Sequence, residues 1–311
     1  MGGSWRNCVK IGVIHGMMFP DAPGDAARTI ETARRILQDD FFGVLVVGRM
    51  DEQAMKAVKA MAADAHVSLA VSAAPVILGG KHNLAALDED ARRAGVAELK
   101  RSVDDACRLG APFVEVLDGA RSYPGPELEP RATDQLVRSL DELCRYAEES
   151  AAAEPMWILL ETFDRFVDKR SLVGPSSLAV EVASRVRARH RNFGITIDMG
   201  HLPLIGESYR EALETTREYL VHLHLGSCVK DDRSHPAYGD NHPAFGMEGG
   251  AADVAELVDF LAAARDIGYF ERSLPTGMPW LTFEVKPQPG QSSELLIANS
   301  KRVFKEAWAK L

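Results

Sequence analysis

Eight short β-rich runs, each followed by a longer segment of helical period, divide the 311-residue chain. The runs are "CVKIGVIHG" (8–16), "FGVLVVG" (42–48), "HVSLAVSA" (66–73), "PFVEVLDG" (112–119), "WILLETF" (157–163), "FGITIDMG" (193–200), "YLVHLHLG" (219–226) and "WLTFEVKP" (280–287). Between them, apolar residues recur three and four apart. Ala26, Ile30, Ala33 and Ile36 mark the first helix, and Val96, Leu99, Val103 and Ala106 the third. Leu136, Leu140, Leu143 and Ala147 mark the fourth, and Val254, Leu257, Val258 and Leu261 the seventh. A last helix is expected from about Ser293, with Leu296, Val303, Phe304 and Ala307 on one face and "SSE" at its start for capping. Strict β-then-α alternation of this kind predicts a (β/α)₈ barrel, parallel strands inside and helices outside. A doubly wound open sheet is the rival, but "GVIHGMMFP" after the first run is no glycine-rich phosphate cradle. No linker-like stretch divides the chain, so one domain is expected over 1–311.

A barrel of this type gathers its chemistry at the C-terminal ends of the strands. Four late runs stop there on polar side chains: "WILLE" on Glu161, "GITID" on Asp198, "LVHLH" on His224 and "LTFE" on Glu284. Strand alternation puts Leu159 with Glu161, Thr196 with Asp198, and Thr282 with Glu284. His222 points the same way as His224, one layer deeper. Three carboxylates converging in a low-dielectric mouth repel one another unless a cation neutralises them. Taken singly, each is as well explained as a helix cap or an ion-pair partner; four in register point to one divalent metal held by Glu161, Asp198, His224 and Glu284. An oxygen-rich set with a single imidazole suits Mn²⁺ or Mg²⁺, with Co²⁺ or Zn²⁺ also accommodated.

Bulk properties narrow the partners. The net charge of −9 disfavours nucleic acid and anionic membrane. No apolar run approaches the ~20 residues that span a bilayer, and "MGGSWRNC" lacks the regions of a signal peptide. The four cysteines are scattered, and three sit in apolar patterns as expected buried thiols. A cytoplasmic location is the expectation, and a homo-oligomer stays open. Glu284 lies 60 positions after His224, and the stretch between them includes a Gly-, Pro-, Asp- and His-rich loop, "DDRSHPAYGDNHPAFGMEGG" (231–250). Loops of this length are commonly lids or binding loops; His242 is its candidate for reaching substrate, and His235 reads as a surface residue. After the first run, "HGMMF" offers His15 to substrate, with Met17, Met18 and Phe19 as an apolar wall or as plain packing.

The motifs "ETFDRF", "DMGH", "HLHLG" and "FEVKP", with residues 83–119, resemble the xylose isomerase-like TIM barrel superfamily, in its sugar phosphate isomerase/epimerase branch. The resemblance runs from about Lys10 to the last helix. It implies the same four metal ligands, with Glu161 and Glu284 doubling as the catalytic acid/base pair. It also implies that His201, three residues after Asp198, touches a substrate oxygen. Lys230 stands where ketose 3-epimerases carry an arginine, and Val167 where they carry a further glutamate; lysine keeps the charge but not the bidentate fork. The implied reaction is proton abstraction beside a carbonyl of a small carbohydrate substrate. The alternatives are an inosose-type dehydratase, an eliminating deglycosylase, or a silent sugar-binding subunit. Both glutamates are present, which favours the enzyme.

Overall fold

The computed structural model describes residues 4–150 and 155–311. Its eight strands are β1 (Lys10–Ile14), β2 (Val44–Val47), β3 (Ser68–Ser72), β4 (Phe113–Val116), β5 (Trp157–Glu161), β6 (Phe193–Asp198), β7 (Leu220–Leu225) and β8 (Trp280–Phe283). They close in sequence order, every pair parallel, with β8 returning to β1. Each lies inside one of the eight expected runs. The outer ring comprises helices Ala26–Leu37, Glu52–Asp64, Glu89–Leu109, Glu129–Ser150, Ser176–Arg187, Tyr209–Thr216, Val254–Asp266 and Ser293–Lys310. The architecture is a (β/α)₈ barrel.

Local chemistry starts several of these helices at the right residue. The carboxylates of Asp25, Asp51 and Asp88 accept from the backbone N–H of Arg28, Ala54 and Ala91, satisfying donors that no helical turn can reach. Ser208 and Ser292 do the same for Glu211 and Leu295, and Asp253 with Glu256 forms a reciprocal capping box. The helical faces marked by Val96, Leu99, Val103 and Ala106, and by Leu136, Leu140, Leu143 and Ala147, are buried against the barrel.

Two apolar regions result from strand alternation. Residues such as Val13, Leu45, Val71, Val114, Leu160, Ile197, Leu223 and Phe283 point outward and pack under the helices. A separate cluster fills the barrel itself: Ile14, Val44, Val46, Ala70, Phe113, Leu159, Val221 and Trp280. Gly12 belongs to the inner surface of β1, where a Cβ would come within 2.8 Å of Val44 and 2.9 Å of the Thr282 hydroxyl. Its missing side chain is what lets Thr282 point into the barrel.

Three details differ from expectation. The first run ends its strand at Ile14, and residues His15–Met18 turn into a short helix. Met18 and Phe19 are fully buried in the outer core, so of the expected wall only Met17 remains half-buried. Of the four thiols, Cys144 and Cys228 are buried while Cys8 and Cys107 are half-buried, because the latter two sit at element ends rather than on inward faces.

Candidate metal centre

The register of the last four strands brings the expected ligands together. Glu161 pairs with Thr196 across β5 and β6, Asp198 with His224 across β6 and β7, and His224 with Thr282 across β7 and β8. All four side chains are buried, and one ligand atom from each lies within 4.8 Å of the others. His224 Nδ1 is 2.7 Å from Glu284 Oε2, 3.2 Å from Glu161 Oε1 and 3.8 Å from Asp198 Oδ2.

Hydrogen bonding tests whether this set fits a cation. Those four atoms, Glu161 Oε1, Asp198 Oδ2, His224 Nδ1 and Glu284 Oε2, are buried without a hydrogen-bond partner. Buried polar atoms are rarely left unpaired, because the desolvation cost goes uncompensated. Four orphans converging on one point are accounted for by a divalent ion. Asp198 shows the division of labour: Oδ1 accepts from the N–H of Gly200 and His201, which leaves Oδ2 free to face the centre. Burial, and then the nearby charge of Glu284, push the Glu161 carboxyl up to about 7. That is the stress a cation would relieve.

Below the centre lies a residue that sequence reasoning missed. Glu115, in the middle of β4, is buried inside the barrel. Its Oε1 accepts from Thr196 Oγ1 at 3.0 Å, lies 2.7 Å from His222 Nδ1, and sits 3.1 Å from His224 Nε2. The opposite edge of the His222 ring bonds Thr282 Oγ1 at 2.7 Å, and the ring rests on Phe113 with centroids 5.2 Å apart. His222 therefore sits one layer down from the ligands, bonded to Glu115 and Thr282. The negative charge of Glu115 beside the far nitrogen of the His224 imidazole would favour the tautomer that leaves Nδ1 free for a cation. Burial works against an ionised Glu115, yet His224 and His222 hold its carboxyl well below the usual range. The signal available in "FVEV" was a lone acid in an otherwise apolar strand.

Above the centre, residues 231–250 fold across the mouth with turns and isolated bridges only. Asp240 and His242 are buried there, while His235 is half-buried and Lys230 is exposed. His242 adopts φ 45°, a left-handed conformation that histidine visits more readily than most residues. Asp240 Oδ1 lies 2.6 Å from His242 Nε2 and 3.1 Å from His201 Nε2; its other oxygen lies 2.9 Å from Lys169 Nζ. Lys169 comes from the loop after β5, where the Asp164 carboxylate accepts the N–H groups of Val167, Asp168 and Lys169. Asp240 and Lys169 were also missed, being loop residues whose pairing spans a large sequence separation. Burial opposes charge on His242, but Asp240 and then Glu284 raise it to about 9. Gly226, just after β7, makes the approach possible: a Cβ there would reach 2.9 Å from the Glu284 carbonyl and 3.0 Å from His242 Nδ1.

A cavity of 550 Å³ opens over the centre, lined among others by His15, Lys169, Asp240, His242, Glu284 and Lys286. Of the residues expected to contact substrate, His15 and His242 line it. His201 is buried behind them, its Nδ1 2.8 Å from the Thr162 carbonyl and its ring against Phe163. Lys230 does not line the cavity, since the loop carries it out to solvent, and neither does Val167. His15 Nε2 bonds Thr32 Oγ1 at 2.8 Å, and burial pushes its pKa down to about 4.

The family model described as "Xylose isomerase-like TIM barrel" matches residues 28–302. The chain belongs to this family. Solved structures similar to this barrel include L-ribulose 3-epimerase, with a TM-score of 0.70 at 15% identity over 97% of this chain and 95% of that one. D-psicose 3-epimerase from Clostridium cellulolyticum H10 aligns with a TM-score of 0.63 at 20% identity, over 97% and 96% of the two chains. The 3-keto-D-glucoside 4-epimerase from E. coli gives 0.67 at 15% identity, over 96% and 99%. At such identities the likeness establishes the fold. A comparison with curated proteins found no match. Among the described residues, no helix is long and apolar enough to cross a membrane.

Proposed function

We propose that this family member is a divalent-metal-dependent isomerase or epimerase of a sugar or polyol derivative. It would remove a proton from a carbon next to a carbonyl. The observation that carries the reading is the set of four buried, unpaired ligand atoms at the ends of four successive strands. Three carboxylates and one imidazole favour Mn²⁺ or Mg²⁺. When bound, such an ion polarises a carbonyl and an adjacent hydroxyl and stabilises charge developing on them. The similar structures that are sugar epimerases support the substrate class.

The chain's own residues supply the proton chemistry. Glu284 is the ligand that also lines the cavity, so a carboxylate oxygen of Glu284 is placed to take a carbon-bound proton. Glu161, arriving from β5, approaches from another side and can return a proton to the opposite face. His15, His242 and Lys286 border the same space and can hold hydroxyl oxygens. Lys169, rather than the exposed Lys230, is the cation fixed beside the centre, where it anchors Asp240.

Turnover in D₂O tests this reading. A proton-transfer isomerase or epimerase washes solvent deuterium into the carbon it deprotonates, and Glu284→Gln suppresses that exchange because an amide cannot accept the proton. A dehydratase would instead release water and give an unsaturated product visible by NMR. Turnover with no solvent label in the product would eliminate proton abstraction while sparing the metal site.

A further inference from the structure

Three lysine and arginine side chains line the cavity over the centre: Arg49, Lys169 and Lys286. Protein carboxylates already answer two of them. The Arg49 guanidinium bonds Glu98 and lies 3.6 Å from Asp105, and Lys169 Nζ lies 2.8 Å from Asp168 and 2.9 Å from Asp240. Lys286 is different. Among the described residues, no carboxylate pairs with its ammonium and no acceptor bonds its Nζ. Its main chain is held all the same. The Lys286 N–H donates to the His242 carbonyl at 2.7 Å, and the Gln288 amide donates to the carbonyls of Lys286 at 3.2 Å and Asn241 at 3.0 Å. These bonds tie the residue to the folded loop, with its side chain half-buried in the cavity wall.

Glu284, two residues earlier, lines the same cavity. Two residues span at most about 7 Å of chain. A sugar of five or six carbons whose reacting carbon meets Glu284 therefore brings its far end to Lys286. A neutral sugar seated there would strip water from the ammonium and return only hydroxyl oxygens, leaving its desolvation poorly compensated. An anion returns a charge-assisted hydrogen bond instead. One unpaired ammonium matches the single charge of a carboxylate better than the roughly −2 of a phosphate ester, and no glycine-rich cradle stands beside it.

Building on the sugar-substrate reading above, we propose that the substrate is a keto sugar acid whose carboxylate, at the far end of the chain from the reacting carbon, pairs with Lys286. Its carbonyl makes the neighbouring carbon acidic enough for Glu284 to deprotonate, and its carboxylate decides which sugars are accepted. Lys286 is thus the specificity residue of the cavity.

Calorimetric titration of the Mg²⁺-loaded protein with D-fructuronate, D-fructose and D-fructose 6-phosphate tests this, since the three differ only at the sixth carbon. The carboxylate compound is expected to bind on the order of 10-fold tighter than fructose, the low end of what a hydrogen bond to a charged group contributes. Lys286→Met should abolish that preference and Lys286→Arg, which keeps the charge, should retain most of it. Bound metal, measured by elemental analysis, should stay the same in both. Equal affinities for fructuronate and fructose, tighter binding of the phosphate, no binding of any of the three, or a preference that Lys286→Met leaves intact would overturn the proposal. Binding needs no turnover, so the two readings fail separately. Solvent exchange into fructose with no preference for the acid would defeat only the carboxylate assignment. A Lys286-dependent preference without exchange on any of the three would defeat only the proton-transfer reading.

Discussion

Replacing Glu115 by glutamine changes one atom and one charge at the deepest polar point of the barrel. In the native arrangement a single oxygen, Oε1, bonds Thr196 and His222 and lies 3.1 Å from the far edge of His224. A glutamine amide has one carbonyl oxygen, and its nitrogen is a donor facing ring nitrogens that themselves need acceptors. If the oxygen stays with His222, His224 Nε2 loses the negative charge 3.1 Å away, and the tautomer that would turn Nδ1 to a cation loses its support. Outer-shell partners of this kind are worth about 10- to 100-fold in metal affinity, or about 1.4 to 2.7 kcal/mol. Folding should suffer less, because the amide also escapes the desolvation cost of a buried carboxylate, which partly offsets the lost hydrogen bonds. The assay is competition for Mn²⁺ or Co²⁺ against a chromophoric chelator, alongside the melting temperature of the metal-free protein. Weakened binding with a nearly unchanged metal-free melting point is the expected pair of results. Wild-type affinity in Glu115→Gln would show that the carboxylate merely fills space, and the tautomer argument would fall.

His224→Ala should lose most bound metal by elemental analysis while keeping its circular dichroism, since the barrel core is built from other residues; equal metal in both proteins would dismiss the ligand set. His15 sets a pH dependence. Its folded pKa of about 4 lies below the ordinary value of 6.5, so between these two the unfolded chain binds the extra proton. The stabilisation is complete above pH 6.5 and declines as pH falls toward 4, by about 3 kcal/mol in all. Denaturant titrations of wild type and His15→Gln should therefore diverge across that window in favour of the variant, and parallel profiles would refute the burial argument.

The strands were legible because parallel barrel strands are buried on both faces and read as short apolar runs between amphipathic helices. The convergence of Glu161, Asp198, His224 and Glu284 was legible for a related reason: an acid or histidine closing such a run has no packing purpose at the barrel mouth. Glu115 broke that logic by sitting inside a strand, where inward and outward neighbours are both apolar and only the closed register reveals His222 and His224 opposite. Asp240 and Lys169 were hidden differently. Nothing local distinguishes them from other charged loop residues, and their pairing depends on how two loops cross. His201 stands in a place the motif does not reveal. The motif expectation placed it against substrate, but Asp240 and His242 from the loop after β7 stand between its ring and the cavity.

The vertical order of charges explains why the centre, and not the lid, is where a cation belongs. Above, Asp240 is answered by His201, His242 and Lys169, so its charge is compensated by protein groups alone. Below, Glu115 is answered by His222 and His224. In between, Glu161, Asp198 and Glu284 converge on His224, which already leans on Glu115, while His201 and His242, both committed to Asp240, stand 3.7 Å from Glu161 and 3.6 Å from Glu284. Apolar packing closes the barrel beneath them and the folded loop covers them, so water cannot carry the excess negative charge cheaply. Hydrogen bonds within the protein leave one oxygen each of Glu161, Asp198 and Glu284 unpaired, whereas below them Glu115 and His222 bond Thr196 and Thr282. Strand register makes that layer convergent, and a divalent ion held there would neutralise its excess negative charge.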